Sequence, residues 1–291
     1  IKHTDIAILG GGVIGLATAY HLKQTHPKKS IIVIEKEDSL SSHQTGNNSG
    51  VIHSGIYYKP GSLKAINCRK GKQALERFCN QEGVDYEQCG KVIVATSENE
   101  LPAMQKIYER GKANNVTCKK IDKTELKDIE PHAAGIAAIH VPEAGIINYK
   151  KFCSVLAQKI EAGDGQILTG QKVNFITPSR EKVNIETVEG IEIEASKVIN
   201  CSGLYSDIIA EKGGSKSEMK IIPFRGEYYE LNDNAQGLVN NLIYPVPDPN
   251  FPFLGVHFTR MIDGGIECGP NAVLAFAREG YKKLTINPNE L

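Results

Sequence analysis

Residues 41–65, SSHQTGNNSGVIHSGIYYKPGSLKA, carry Thr45, Gly46, Asn47, Asn48, Ser49, Gly50, His53 and Tyr58, and they follow a glycine turn, GGGVIG, at residues 10–15. Small polar residues in series offer backbone and side-chain donors along an extended anionic ligand. Histidine adds a group that changes charge near neutral pH. In the turn, Gly10 permits a tight bend, Gly12 lets a pyrophosphate approach the backbone, and Gly15 lets the following helix lie close to the preceding strand. Val13 and Ile14 open that helix, whose free N–H groups and dipole suit phosphate. Glu35, about 20 residues further on, fits the acid that binds a ribose hydroxyl. It would repel a 2′-phosphate, so NADP is disfavoured. Lys36 stands beside it and is grouped with the cofactor candidates.

These residues need elements to hold them. Residues 5–9 form a short apolar run ahead of the turn, Val13, Ile14, Leu16, Ala17, Ala19, Tyr20 and Leu22 follow with nearly all-round helical burial, and residues 31–34 are continuously apolar and β-branched. That is a βαβ unit with its strands covered on both faces. Pro60, Gly61 and Ser62 predict a turn with an N-cap, then a helix to about Glu82 with Leu63, Ile66, Leu75 and Phe78 inward and Gly83 as its stop. From residue 85 the pattern changes to short strands broken at Gly90, then a charged helix carrying Leu101, Met104, Ile107 and Tyr108. The chain returns near Gly145, with a helix bearing Phe152, Val155, Leu156 and Ile160 and strands around Ile167, 173–176 and 183–193. The string KVINCSGLYSD at 197–207 is an apolar strand followed by Ser202 and Gly203, where the backbone must come close to something. From 223 to about 268, alternating strands with many prolines and aromatics mark a second visit to the inserted domain.

The expected class is α/β: a Rossmann-like nucleotide-binding domain over 1–84 and 145–212, with a mixed-sheet α+β substrate domain over 85–144 and 213–291. An NAD enzyme would continue with further βα units of one sheet. This chain inserts a long Gly, Asn, Ser and His segment and a separate domain, so FAD is favoured.

Composition narrows the function classes. The chain has 291 residues, with 34 Lys plus Arg balancing 34 Asp plus Glu, so no global field draws it to nucleic acid. Seven cysteines, scattered and without a CxxC pair, argue against a disulfide framework or a zinc site and for a reducing compartment. No apolar run approaches the roughly 18 residues of a spanning helix, and no signal peptide opens the chain, which begins at Ile1.

The fingerprint with Glu35, the HQTGNNSG segment, Val173 after a helix and strand, and NCSGLYSD together resemble the FAD-dependent D-amino-acid-oxidase-like superfamily, which includes glycine and sarcosine oxidases and glycerol-3-phosphate dehydrogenases. HQTGNNSGVIHSGIYYKPGSLKA, IYPVPDPNFPFLGVHFTR and GGIECGPNAVLAFAREGY narrow the likeness to its L-2-hydroxyglutarate oxidases and dehydrogenases. The resemblance covers essentially the whole chain. It implies oxidation of L-2-hydroxyglutarate to 2-oxoglutarate, with electrons passing through FAD to oxygen or to quinone in membrane-associated relatives. It implies a cytoplasmic protein, peripheral at the inner membrane in a bacterium, or a mitochondrial one in a eukaryote. By position, Gly10, Gly12, Gly15 and Glu35 would hold adenosine and pyrophosphate. Thr45, Gly46, Asn48, Ser49 and Gly50 would approach the rest of the cofactor, Val173 would meet the adenine through its backbone, and Ser202 and Gly203 would close over it. The family continues to a glycine-rich C-terminal segment against the flavin, which the sequence ending at Leu291 does not show.

Oxidising a 2-hydroxy acid takes a hydride acceptor, a base near the hydroxyl and cations for the carboxylates. His53 and His257 are the candidate bases. His257 shares a strand face with Phe253, Gly255 and Thr259 in an expected strand over 253–260, and Arg260 falls on the opposite face. Arg225 is preferred over Arg260 for carboxylate binding, with Lys59 and Lys64 nearby in sequence and Tyr58 and Tyr244 as hydrogen-bonding candidates. Other substrates of the superfamily, an amino acid or glycerol 3-phosphate, remain alternatives, as does an inert nucleotide-binding scaffold.

Overall fold

The computed structural model describes residues 1–216, 218–248 and 255–290. Two compact units divide the chain, one of Ile1–Asn48, Tyr149–Phe224 and Leu274–Leu291, the other of Ser49–Asn148 and Arg225–Val273.

In the first unit the apolar runs become a six-stranded sheet ordered Val173–Pro178, Val183–Thr187, Glu192–Asn200, Lys2–Leu9, Ile31–Ile34 and Gln166–Leu168. Lys2–Leu9 runs parallel to both neighbours, with Leu9 opposite Ile34 on one side and Asn200 on the other. Ile31–Ile34 is buried at every position, as a strand covered on both faces must be. The helix Val13–Thr25 buries Gly15, Leu16, Ala19 and Lys23. Lys23 is tolerated because its ammonium donates to the carbonyls of Pro27 and Lys29 at 2.9 and 3.0 Å. Burial on this helix is one-sided: Ile14, expected inside, is 66% exposed.

The second unit carries a mixed seven-stranded sheet ordered Phe224–Glu230, Ile266–Leu274, His257–Arg260, Leu242–Pro245, Lys91–Ala95, Ala137–Val141 and Lys119–Asp122, and a three-stranded sheet of Val51–Ile52, Gly145–Ile147 and Tyr86–Glu87. Alternation along Lys91–Ala95 feeds two cores. Ile93 and Ala95 join Met104 and Ile107 of the helix Leu101–Ala113 on one face. Val92 and Val94 join Ile121 and Leu126 on the other.

The helix Leu63–Glu82 starts and stops as its sequence predicts: the Ser62 hydroxyl accepts from the Ala65 N–H, and Gly83 adopts φ +68°. Its inward face differs from expectation. Phe78 is buried as expected, but Leu63 and Ile66 are exposed at 76% and 40%, and Ala65, Lys72 and Cys79 join Phe78 in the buried set. This helix also lies in the second unit, whereas the expected boundary put it in the first. The physical reason is Arg69, which donates to the carbonyls of Ser54 and Asn115 and pairs with Glu143, all in the second unit. The crossing between units therefore falls at residue 48 rather than 84. The strand expected over 253–260 is observed as His257–Arg260, and Phe253 lies outside the described residues.

Candidate functional site

In the first unit, the carboxyl ends of the parallel strands open a cleft of about 810 Å³, inside the roughly 300–1,000 Å³ of small-molecule sites. Gly10 donates to the Ile34 carbonyl, and Cys201 donates to that of Leu9, both at 2.8 Å, so three strand ends are drawn together at the turn. A Cβ on Gly15 would stand 1.9 Å from the Gly10 carbonyl oxygen, so the helix packs as closely as it does only because residue 15 has none. Gly12 caps the helix with extended backbone and no side-chain cap, and the first turn holds no acid. The Thr45 hydroxyl accepts from the Val13 N–H at 3.0 Å, tying the signature segment to the helix start.

The cleft is lined by Gly10, Gly12, Val13, Ile14, Glu35, Lys36, Thr45, Asn48, Val173, Ser202 and Gly203 among the expected residues. Gly15 and Gly46 lie off its surface. Ser49 and Gly50 fall in the second unit, where the Gly50 carbonyl accepts from Ile147 at 2.8 Å. The Glu35 carboxylate accepts from the N–H groups of Gly11 at 2.6 Å and Glu37 at 2.9 Å, fixing its direction toward the glycine turn. The ammonium of Lys36 bridges Glu37 and Glu279. Behind Gly203, Asp207 and Arg278 form a buried two-pronged pair at 2.6 and 2.7 Å. Arg278 holds the Asp207 carboxyl well below the usual carboxylate range. Sequence reasoning missed Gln171, Lys172, Tyr205 and Glu279 of the lining; Tyr205 and Glu279 lie in strings already singled out, whereas no motif marks Gln171 and Lys172, which the fold alone brings in.

The second unit gathers the ionisable groups. The interior strand Lys91–Ala95 begins with Lys91, which is 1% exposed. The ammonium lies 4.7 Å from the ring centroids of both Tyr57 and Tyr244. His257 stacks on Tyr244, centroids 4.0 Å apart and planes at 21°. Its Nδ1 is 2.9 Å from the Gly255 carbonyl oxygen, so Nδ1 carries the proton and, in the neutral ring, Nε2 keeps the lone pair. Burial lowers the pKa of His257, and the neighbouring Lys91 charge adds to this against the raising effect of the Gly255 bond. His53 is open to solvent on one side, yet crowded enough that desolvation, then Lys91 and His257, lowers its pKa to about 4. Burial also pushes Tyr244 up to about 12 and Tyr57 upward, and lowers Lys91 to about 8. Within this unit the structure thus collects His53, His257 and Tyr244.

The remaining expected residues are held elsewhere. Arg225 pairs with Glu227 at 2.8 Å. Arg260 pairs with Glu87 and donates to the Asn240 carbonyl. Lys59 and Lys64 are exposed. The Tyr58 carbonyl accepts from the side chain of Asn114 at 2.8 Å, and it is the adjacent Tyr57 that caps Lys91. Lys91 and Tyr57 escaped sequence reasoning. The available signal was a lysine opening the otherwise apolar run KVIVA.

The family model described as FAD dependent oxidoreductase matches residues 5–291. The L-2-hydroxyglutarate dehydrogenase of Indibacter alkaliphilus is 51% identical over 289 residues, covering 99% of this chain and 72% of the relative. That of Escherichia coli K12 is 46% identical, covering 96% and 66%, and the human mitochondrial one 45% identical, covering 99% and 65%. Among solved structures, the FAD-bound L-alpha-glycerophosphate oxidase of Mycoplasma pneumoniae superposes with a TM-score of 0.89 at 26% identity, covering 98% of this chain and 75% of that one.

Proposed function

Because the chain belongs to the FAD-dependent oxidoreductase family, we propose that it oxidises L-2-hydroxyglutarate to 2-oxoglutarate with FAD as the cofactor. The observation that carries the substrate is the likeness to L-2-hydroxyglutarate dehydrogenases along nearly the whole chain; the chain spans about two thirds to three quarters of those relatives' length.

The residues of the cleft fit the cofactor. Gly12 approaches Thr45 so closely that a Cβ would stand 3.1 Å from its hydroxyl, leaving bare backbone where a pyrophosphate must come near. The helix start offers N–H donors without a competing acid. Glu35 is positioned for a ribose hydroxyl, the Val173 backbone for the adenine, and Thr45, Asn48, Ser202 and Gly203 for the remainder. The exposed Ile14 side chain supplies apolar surface to the same cleft. When bound, FAD supplies the hydride acceptor.

The protein's own task is then the proton. As the substrate C2–H bond breaks as hydride, its hydroxyl proton must pass to a base. A neutral imidazole does this, and His53 suits the role because it is solvent-accessible and held unprotonated, whereas His257 is buried beneath Tyr244 and acts behind it. Electrons leave to oxygen or a quinone; among the described residues no helix is long and apolar enough to cross a membrane.

Anaerobic mixing of the FAD-loaded protein with a panel of 2-hydroxy acids, 2-amino acids and glycerol 3-phosphate tests the reading. L-2-hydroxyglutarate should bleach the flavin absorbance fastest. Reduction by glycerol 3-phosphate or an amino acid, with none by L-2-hydroxyglutarate, would refute it. Reoxidation rates with oxygen and with a soluble quinone then identify the acceptor.

A further inference from the structure

We propose that Lys91 is a positioning residue for the proton-handling histidines: its buried ammonium, seated between the rings of Tyr57 and Tyr244, favours the neutral form of the His257 imidazole stacked on Tyr244. The inference rests on the reading of the histidines of this unit as the groups that handle the substrate proton. Its ground is an uncompensated charge. Buried cations are ordinarily paired with acids, yet among the described residues Lys91 has no carboxylate and no hydrogen-bond acceptor, only two aromatic faces at 4.7 Å. Ring faces stabilise a cation without cancelling its field. The Tyr57 hydroxyl is likewise buried without a hydrogen-bond partner among the described residues.

The surrounding groups leave that field standing. Cys68, on the helix Leu63–Glu82, is a thiol kept protonated by burial, its pKa raised. Next to it, Arg69 is matched by Glu143 and Lys72 by Glu76. Arg260, on the strand of His257, is matched by Glu87. Tyr57 and Tyr244 stay neutral through the working range. Because Nζ lies 4.7 Å from the Tyr244 centroid, and that centroid lies 4.0 Å from the His257 ring, the ammonium stands within about 9 Å of the imidazole. At an effective dielectric near 20, two like charges at that separation oppose each other enough to move a titration midpoint by about one pH unit.

The test is a pH titration of the FAD-bound protein, carrying histidine labelled with ¹³C at Cε1, by NMR, with His53→Gln and His257→Gln assigning the signals. Wild-type His257 should titrate below the ordinary histidine range, Lys91→Met should raise its midpoint by about one pH unit, and Lys91→Arg should keep it low. An ordinary midpoint in the wild type would overturn the proposal with no variant needed. So would an unchanged midpoint in a folded Lys91→Met or Lys91→Gln protein, or an Arg variant that behaves like Met, which would mark a packing role. The titration requires no turnover. Failure to oxidise L-2-hydroxyglutarate would therefore fell the proposed function separately from this result.

Discussion

The imidazole of His257 lies flat on the phenol ring of Tyr244, with centroids 4.0 Å apart. A ring face, with the Gly255 carbonyl at Nδ1, orients this histidine where an acid would otherwise be expected. Tyr244 is 1% exposed, so the contact is part of the core of the second unit. Tyr244→Ala should therefore cost about 3–5 kcal/mol of stability, the usual range for deleting a buried aromatic ring. Tyr244→Phe, which keeps the ring, should cost far less. Denaturant unfolding of both variants checks this, and equal losses would show that the hydroxyl, not the stack, matters.

His53→Gln should leave flavin content intact and slow flavin reduction by L-2-hydroxyglutarate by about 10²–10⁴-fold, the range for removing a general base. Single-turnover absorbance measures it. An undiminished rate would return the role to His257.

Lys91 makes the stability of the protein depend on pH with a definite sign. Burial lowers its pKa from 10.5 to about 8. Between those values the unfolded chain holds more protons than the native one, so stability rises with pH across that window. Below pH 8 the full cost of burying the charge is present. Lys91→Met is thus expected to gain about 1–4 kcal/mol near pH 7, a gain that shrinks toward pH 10.5. Chemical denaturation at several pH values would show it, and a gain that grows with pH would contradict the assignment.

Asp207→Asn should destabilise the first unit by about 3–5 kcal/mol, because it leaves the buried Arg278 guanidinium without its counter-charge. In the wild type the folded carboxyl titrates below its unfolded value, so this stability is present above the ordinary aspartate pKa and fades as the solution is acidified through it. The variant should lack that acid-dependent component in denaturation series.

Gly15→Ala places a methyl group 1.9 Å from the Gly10 carbonyl oxygen. Helix and strand must separate, and the glycine turn with them. Flavin content of the purified variant should fall sharply, while circular dichroism retains the fold; normal flavin loading would show that the turn is not the cofactor's seat.

Much of this was legible from local pattern. The turn at residues 10–15, the strands at 5–9 and 31–34, the first of which extends back to Lys2, Glu35, and the Ser62 cap with its Gly83 stop all follow from residues close together in the chain, where spacing fixes geometry. The inward face of Leu63–Glu82 was not, since Leu63 and Ile66 are as apolar as Phe78; which of them is buried depends on what packs alongside. Arg225 and Arg260 looked available because sequence does not display Glu227 and Glu87 as their partners.

The sequence by itself determined the nucleotide-binding unit, its cofactor and its family, because glycines, β-branched runs and caps act within a few residues of where they stand. Only the tertiary structure decided the electrostatic setting of the histidine cluster in the second unit. Lys91, Tyr57, Tyr244 and His257 are separated by up to 200 residues, and the strands of Lys91, Tyr244 and His257 converge through the pairs Lys91–Leu242 and Leu242–Thr259. Desolvation and Coulomb fields are properties of that convergence, and no residue's type announces them.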